Sequence, residues 1–308
     1  MTLTQLGAFV LVAKLGSVRA AAVALGVSEP AVSQALTALR KQLGDELVVK
    51  DAAGMTLTPG GQRLLPIASQ MVTLGTEAEA AVRAGQGAPA RLRVVADSTV
   101  AEFVAPSLLE AFASRAGGIE ASVGVASRAE MAVLLSSHLA DVAIGPEIAG
   151  ADANGIESRP IMRCRMIVVT GDEMPPGRWL LGPSATDPLS PPAALVERFG
   201  VLPEQVRVFP SEAAAWTAAA EGQGVAPAFA HLVSHELDSG RLREVDLAGV
   251  PSTVSWYIST LGPGRRSEGA SALRQFVTTP QAMQLMHRPG RGVPPGRFRP
   301  PVYVTIWS

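Results

Sequence analysis

The chain has 308 residues, of which 47% are apolar and 17% charged, with a formal net charge of −1 and one cysteine. At about 150 residues per domain this length predicts two domains, and the composition excludes a fibrous or largely disordered protein. We expect a soluble cytoplasmic protein without a membrane partner, because no apolar stretch reaches the ~20 residues that cross a bilayer and the N-terminus lacks the basic start of a signal peptide.

Charge is distributed unevenly along the chain. Residues 1–85 carry seven basic and six acidic side chains, residues 86–280 carry 15 and 21, and residues 281–308 carry four arginines and no acid. The acidic segment 86–280 does not bind polyanions by itself, so a nucleic-acid contact is expected from residues 1–85. The tail, residues 281–308, is the less favoured alternative. The N-terminal charge is weak for that task, which favours several copies acting together.

Three short helices are predicted in the first 43 residues. Apolar residues recur with helical spacing, Gly16 and Gly26 end the first two helices, and Ser17 and Ser28 are suitable N-caps for the second and third. The third helix has a polar face of short side chains near its N-terminus, including Ser33, Gln34 and Thr37. This pattern is typical of a helix-turn-helix that enters the DNA major groove, and an ordinary solvated helix face is the alternative. Two short strands around the loop at residues 51–54 predict a wing beside the helices.

The first 65 residues resemble the winged helix-turn-helix of the LysR-type transcriptional regulators. The matching positions are Gly16-Ser17, Ala21-Ala22, Leu25, Val27-Ser28, Pro30-Ala31, Ser33, Leu36, Leu39, Leu43-Gly44, Leu47 and Leu57-Thr58. The resemblance implies sequence-specific binding to double-stranded DNA and regulation of transcription. Together with the polar helix face and the wing, this resemblance indicates which residues contact DNA. The candidates are Ser17, Arg19, Ser28, Glu29, Pro30, Ser33, Gln34, Thr37 and Lys50.

A long helix is predicted from Pro59, with Thr58 as its N-cap. Its apolar residues follow the a/d spacing of a helix packed along another helix: Leu64, Ile67, Met71, Leu74, Ala78 and Ala81. Packing on the chain's own core is the alternative, but the resemblance implies dimerisation through this helix. We expect a homodimer or homotetramer, with residues 1–58 as the DNA-binding domain and residues 59–86 as the dimerisation helix.

Residues 87–280 are predicted to form an α/β domain. Strands near residues 91–96, 120–125 and 141–145 alternate with helices, which favours a parallel sheet, and a second strand and helix set begins near residue 162. This segment resembles the effector domain of the same family, with two periplasmic-binding-protein-like lobes and crossovers near residues 160–163 and 259–264. The resemblance implies a small, often anionic, effector of unknown identity in the cleft between the lobes. Hydroxyl groups at helix starts are most often plain N-caps, but several converge on this cleft. By the resemblance, Ser98, Thr99, Ser127 and Ser211 lie where family members hold the effector, and Phe209, which precedes the same helix as Ser211, is a further candidate contact.

Reaction chemistry is not indicated, so we expect neither an enzyme nor a cofactor or metal. His231 and His235 lack a third metal ligand. Cys164 lies between two arginines, and a role as a redox sensor is the less favoured interpretation of it. The competing interpretation is an α/β solute-binding or enzymatic protein whose N-terminal helices only dimerise. Residues 281–308 are expected to be a disordered Pro/Arg-rich tail, with docking on a sheet edge or on DNA as alternatives. RNA polymerase is a further candidate partner.

Glu29 departs from the pattern of the LysR-type regulators, which usually have glutamine at this position. A carboxylate accepts a hydrogen bond from a cytosine amine and repels phosphate, so Glu29 predicts a preference for cytosine. Glu29→Gln should relax that preference by about 1–3 kcal/mol and strengthen non-specific binding. Affinities measured on DNA variants across a salt series check both effects, and an unchanged base preference together with an unchanged salt dependence would refute the idea.

Overall fold

The computed structural model describes residues 1–51, 54–148, 150, 155–171 and 177–288. The three predicted N-terminal helices are confirmed as α1 (Leu3–Leu15), α2 (Val18–Leu25) and α3 (Glu29–Leu43). The hydroxyls of Ser17 and Ser28 accept hydrogen bonds from the first turns of α2 and α3. Gly16 and Gly26 end α1 and α2 with φ near +65°, a left-handed conformation that a side chain would strain. The chain can therefore turn sharply between the helices.

The wing is an antiparallel hairpin of β1 (Val48–Asp51) and β2 (Gly54–Leu57), and its loop residues 52–53 lie outside the described residues. Arg40 of α3 anchors this hairpin. Its Nε donates to the Glu46 carbonyl oxygen at 2.7 Å, and its Nη2 donates to the Val48 carbonyl oxygen at 2.6 Å. The polar outer face of α3 therefore excludes Arg40, which is held by the wing.

The long helix is confirmed as α4 (Pro59–Gly85). The helix packs on α1, and the buried residues Ala68 and Val72 belong to the same apolar cluster as the α1 side chains. A side chain at Gly61 would collide with the Leu47 carbonyl oxygen, so glycine allows α4 to approach the start of the wing. Most residues of the predicted a/d stripe lie outside the packed face of α4 and are exposed, whereas Leu64 and Met71 are half-buried beside the chain's own core.

The larger domain alternates strands and helices along the chain. Its elements are β3 (Ala90–Ala96), a π-helical turn (Val100–Val104), α5 (Ala105–Ala116), β4 (Ile119–Val125), α6 (Arg128–Ser136), β5 (Val142–Gly145), β6 (Ile156–Thr170), β7 (Trp179–Leu181), α7 (Pro191–Arg198), β8 (Val206–Val208), α8 (Glu212–Ala220), β9 (Ala226–Phe229), α9 (Ser234–Asp238), β10 (Arg243–Glu244), β11 (Ser252–Leu261), α10 (Glu268–Phe276) and α11 (Pro280–His287).

One mixed sheet links the two lobes of this domain. Its strand order is β10-β6-β11-β5-β3-β4, with β9 also paired to β6, while β7 and β8 form a separate parallel pair. Strand β3 is parallel to β4 and β5, as predicted, but the long strands β6 and β11 are antiparallel to each other and continue from one lobe into the other. The expected α/β fold class is confirmed, and the likeness to periplasmic binding proteins is a loose analogy.

The DNA-binding domain packs on the first lobe through helix α6. Helices α1 and α2 both contact α6, and one cluster of buried apolar side chains contains Leu11, Ala22, Leu134 and Leu135. The Lys14 ammonium on α1 donates to the hydroxyl of Ser137, at the end of α6, at 2.9 Å. Burial at this contact lowers the pKa of Lys14. The two domains therefore share a partly buried surface.

Residues 281–287, which were expected to be disordered, belong to α11. Ala282 and Met286 lie four residues apart on this helix and are both fully buried, and the helix packs on α5. The expected disorder is therefore wrong for these residues, and residues 289–308 lie outside the described part of the chain. Within the described ranges, no single helix is long and apolar enough to cross a membrane, and α2 with α3, bent by 109°, meets that test only as a pair.

The Arg40 anchor predicts an asymmetry between two neighbouring basic residues. Arg40→Ala removes two charge-assisted hydrogen bonds to wing carbonyls and should lower the free energy of unfolding by about 2 kcal/mol. Lys41→Ala is the matched control, because Lys41 is exposed on the same helix, and should change it by less than about 0.5 kcal/mol. Urea unfolding measures both, and equal effects would contradict the anchor.

Candidate nucleic-acid interface and ligand cavity

The outer face of α3 brings together most of the predicted DNA contacts. Glu29, Pro30, Ser33, Gln34 and Thr37 are exposed on it, directly after the N-cap Ser28. Short side chains let the helix backbone approach base edges, and Gln and Ser offer donors and acceptors to them. The hydroxyl of the exposed Thr37 donates to the Ser33 carbonyl oxygen at 2.8 Å, so its proton is engaged within the helix.

Three further predicted contacts lie on other elements. Ser17 caps α2, where its hydroxyl accepts from the Ala20 amide at 3.2 Å, while Arg19 on α2 and Lys50 on the wing are exposed. These cations suit contacts with phosphate, which position a protein on DNA without reading its sequence.

A cavity of about 540 Å³ lies between the two lobes of the larger domain. It brings together three of the predicted effector contacts, Ser98, Thr99 and Ser127. The other two are not among the residues that line it. Phe209 packs under the Arg207 guanidinium at 4.8 Å, and Ser211 caps α8 by accepting from the Ala214 amide at 3.1 Å.

Acidic and aromatic residues that sequence reasoning missed also line the cavity. They are Asp97, Glu130 and Asp187, with Phe229 and Trp256. Asp97 immediately precedes the predicted Ser98 and Thr99 at the end of β3, which is the signal that points to it. Val23 of α2 also contributes to the lining, so the DNA-binding domain reaches the edge of this cavity.

Carboxylates hold the lobes together around the cavity. Asp187 of the second lobe accepts from the Arg128 amide of the first lobe at 2.9 Å. Glu102 of the first lobe accepts from the amides of Glu212 and Ala213, at the N-terminus of α8, at 2.9 and 3.2 Å. Each interlobe link thus pairs a carboxylate with the positive end of a helix.

Burial shifts the protonation of this acidic cluster. It raises the pKa of Asp97 to about 7, with a smaller contribution from the negative charge of Glu212. Burial also raises the pKa of Glu102 to about 7, and it raises the pKa of Glu212. Asp97 and Glu102 are therefore partly protonated near neutral pH.

Two other titratable residues do not form reactive sites. Burial raises the pKa of the Cys164 thiol to about 12, so the thiolate needed for redox chemistry is scarce. Burial lowers the pKa of His231 to about 4, and its ring packs edge-on against Trp256. His231 and His235 do not share a helix, because α9 begins only at Ser234. The described ranges contain no group of three residues that could hold a metal ion.

The raised pKa of Asp97 predicts a pH-dependent stability. A carboxyl that holds its proton more tightly when folded stabilises the fold at low pH, and this contribution is lost as the pH rises through about 7. From about pH 6.5 to 8 the loss for Asp97 is of order 1 kcal/mol. The melting temperature should therefore fall more in the wild type than in Asp97→Asn, whose amide oxygen can still accept from the Val100 amide.

Asp246→Asn is the matched control, because Asp246 is exposed and does not line the cavity. Thermal unfolding at several pH values should give this control the wild-type dependence. An Asp97→Asn dependence as steep as that of the wild type would show that Asp97 does not titrate in this range.

Comparisons with known proteins identify the family of the chain. Residues 3–62 match the family model of the bacterial regulatory helix-turn-helix protein, lysR family, and residues 85–281 match that of the LysR substrate binding domain. An uncharacterized HTH-type transcriptional regulator of Mycobacterium tuberculosis is 36% identical to the chain, with full coverage of both.

Solved structures of similar fold include ArgP from Mycobacterium tuberculosis, with a TM-score of 0.54, 22% identity and coverage of 93% of this chain and 98% of that one. A full-length variant of AphB has a TM-score of 0.60, 19% identity and coverage of 90% and 98%. Members of the matching family bind DNA and respond to small-molecule effectors, and they are not enzymes. The chain belongs to the LysR family of transcriptional regulators.

Proposed function

We propose that two copies of the chain pair along α4 and present two α3 helices to neighbouring major-groove half-sites of double-stranded DNA. The observation that carries this proposal is the apolar face of α4 that the chain's own core leaves uncovered. Ile67, Leu74 and Val82 on this helix are 54%, 63% and 60% exposed, and Ala78 and Ala81 are exposed between them. A contiguous exposed apolar face of this kind is typical of a protein interface.

Charge supports the same arrangement. Residues 1–85 carry a net charge of only +1, from seven basic and six acidic side chains, which is little for binding a polyanion. Two copies double the phosphate contacts and fix the spacing of two half-sites. The proposal also includes assembly into a tetramer, a contact with RNA polymerase and activity in the cytoplasm.

The domain division that we propose assigns residues 1–58 to DNA binding, 59–86 to dimerisation and 87–280 to effector binding. The end of α4 at Gly85, followed by Gly87 with φ +66°, supports the second boundary. Irregular pairing around Pro160 and Met162 in β6 supports the first lobe crossover, near residues 160–163. The second crossover is proposed near residues 259–264.

The effector site that we propose is the interlobe cavity, with Ser98, Thr99 and Ser127 among its contacts. Two features of α6 support a link from this cavity to DNA. Its N-terminal residues, including Glu130, line the cavity, and its body packs on α1 and α2. Effector binding that changes lobe closure would displace α6, and with it the helices that carry α3, so the half-sites or the DNA bend would change.

A salt-dependent gel shift on the DNA upstream of the chain's own gene tests the proposed function. Binding that weakens steeply with salt and protects two half-sites in a footprint is expected. The competing interpretation, a solute-binding or enzymatic protein whose helices only dimerise, predicts no sequence-specific protection at any salt concentration.

Two exposed alanines on α4 test the interface. Ala78→Glu places a carboxylate in the proposed interface, once from each copy, and should raise the dimer dissociation constant at least about tenfold, with a matching loss of operator affinity. Ala80→Glu adds the same charge to the opposite side of the same helix and should change neither. Sedimentation equilibrium and gel shifts measure both effects. Equal dissociation constants for the two variants would place the interface elsewhere.

A further inference from the structure

We propose that the effector of this protein is an organic cation, an ammonium or guanidinium group on a small apolar body. The inference rests on the proposed effector site and names the class of ligand that it takes. It departs from the small anion that family resemblance implies. Three observations on the cavity between the lobes support it: the charges of its lining, backbone amides that already donate to carboxylates of the protein, and unpartnered hydroxyl groups.

The charge of the cavity lining has one sign. Asp97, Glu130 and Asp187 line it, and no lysine, arginine or histidine is among the described residues that form the lining. Arg128 follows Ser127 in sequence, but its side chain is not part of the lining, and its amide is engaged by the Asp187 carboxylate. An anion in this cavity would meet carboxylates without a compensating cation.

The helix N-termini that would attract an anion already hold carboxylates of the protein itself. At the start of α6, the Ser127 amide donates to Glu130 at 2.7 Å and the Arg128 amide donates to Asp187. At the end of β3, the Val100 amide donates to Asp97 at 2.8 Å. An anionic ligand needs free amides at such positions, so their occupation argues against it.

Two buried hydroxyl oxygens of the cavity lining, those of Ser98 and Ser184, lack a hydrogen-bond partner. Ser98 is 7% exposed, lines the cavity and makes no hydrogen bond of normal geometry within the described residues, although it lies near the Glu212 carboxyl. A buried polar group without a partner is costly, and a ligand N–H would give the Ser98 oxygen a donor. A positive charge nearby favours the ionised form of the adjacent Asp97, whose carboxylate would then supply the countercharge to the same group.

The remaining lining suits the apolar part of such a ligand. Phe229 and Trp256 present aromatic rings, and Val125 and Val254 add aliphatic surface. Aromatic faces attract cations, and a cavity of about 540 Å³ falls in the range that holds a small organic molecule. No group of three metal-ligating residues occurs in the described part of the chain, which favours an organic cation over a metal ion.

Ligand binding to the full chain tests the charge class. The probes are pentylamine, agmatine and phenethylamine, each at millimolar concentration, and the matched anions are hexanoate and 3-phenylpropionate. We expect at least one cation to raise the melting temperature, because a ligand that binds only the folded state stabilises it, and neither anion to do so. Calorimetric titration then gives the affinity of that cation.

Two variants locate the effect. Asp97→Asn keeps an acceptor for the Val100 amide but removes the charge, and should weaken binding of the cation about tenfold or more. Asp246→Asn removes an exposed charge outside the cavity and should leave the affinity unchanged. A cation that binds Asp97→Asn as tightly as the wild type would overturn the assignment, as would stabilisation by the anions alone or by none of the probes.

A gel shift keeps this inference separate from the proposed function. Specific DNA binding by a chain that responds only to the anions would retain the regulator and overturn the cationic effector. Absence of specific DNA binding, with the cation bound in a manner that depends on Asp97, would retain the ligand class and overturn the regulator.

Discussion

The packing of α6 between two functional regions is the constraint on which the regulatory account depends. Residues at its N-terminus form part of the wall of the interlobe cavity, while its body packs on α1 and α2 of the DNA-binding domain. Leu134 and Leu135 share one apolar cluster with residues of those helices, and the Lys14–Ser137 hydrogen bond lies at the far end. Because a packed core does not deform continuously, a shift at the cavity has to be passed to the DNA-binding helices or resisted by them.

A cluster of acidic residues determines the electrostatics of the cleft between the lobes. Three buried or half-buried carboxyl groups with raised pKa values, those of Asp97, Glu102 and Glu212, lie close to one another, so their ionised forms repel. Backbone amides at helix N-termini compensate part of that cost and connect the two lobes. These contacts between the lobes therefore depend on the charge of the carboxyl groups in the cleft.

Local patterns were sufficient to predict much of the fold. Helical spacing and serine caps predicted α1 to α3, and the a/d stripe predicted a face of α4 that the structure leaves mostly exposed. The cavity was predicted less completely, because its lining depends on how two lobes meet. Ser98, Thr99 and Ser127 reach it, whereas Ser211 faces α8 and Phe209 packs on Arg207. Asp97 and Asp187 do not belong to any sequence motif, so the sequence does not single them out. The contact of α6 with α1 joins residues more than a hundred positions apart, which local patterns do not predict.

Hydrogen–deuterium exchange with and without operator DNA tests the coupling through α6 most directly, and it needs no knowledge of the effector. Coupling between two sites is reciprocal, so DNA bound at α3 must alter the free energy of the cavity wall if the cavity controls DNA binding. The account predicts that DNA changes amide exchange in α6 and at Ser137 as well as in the helix-turn-helix. Changes confined to residues 17–50, with α6 unaffected, would contradict it.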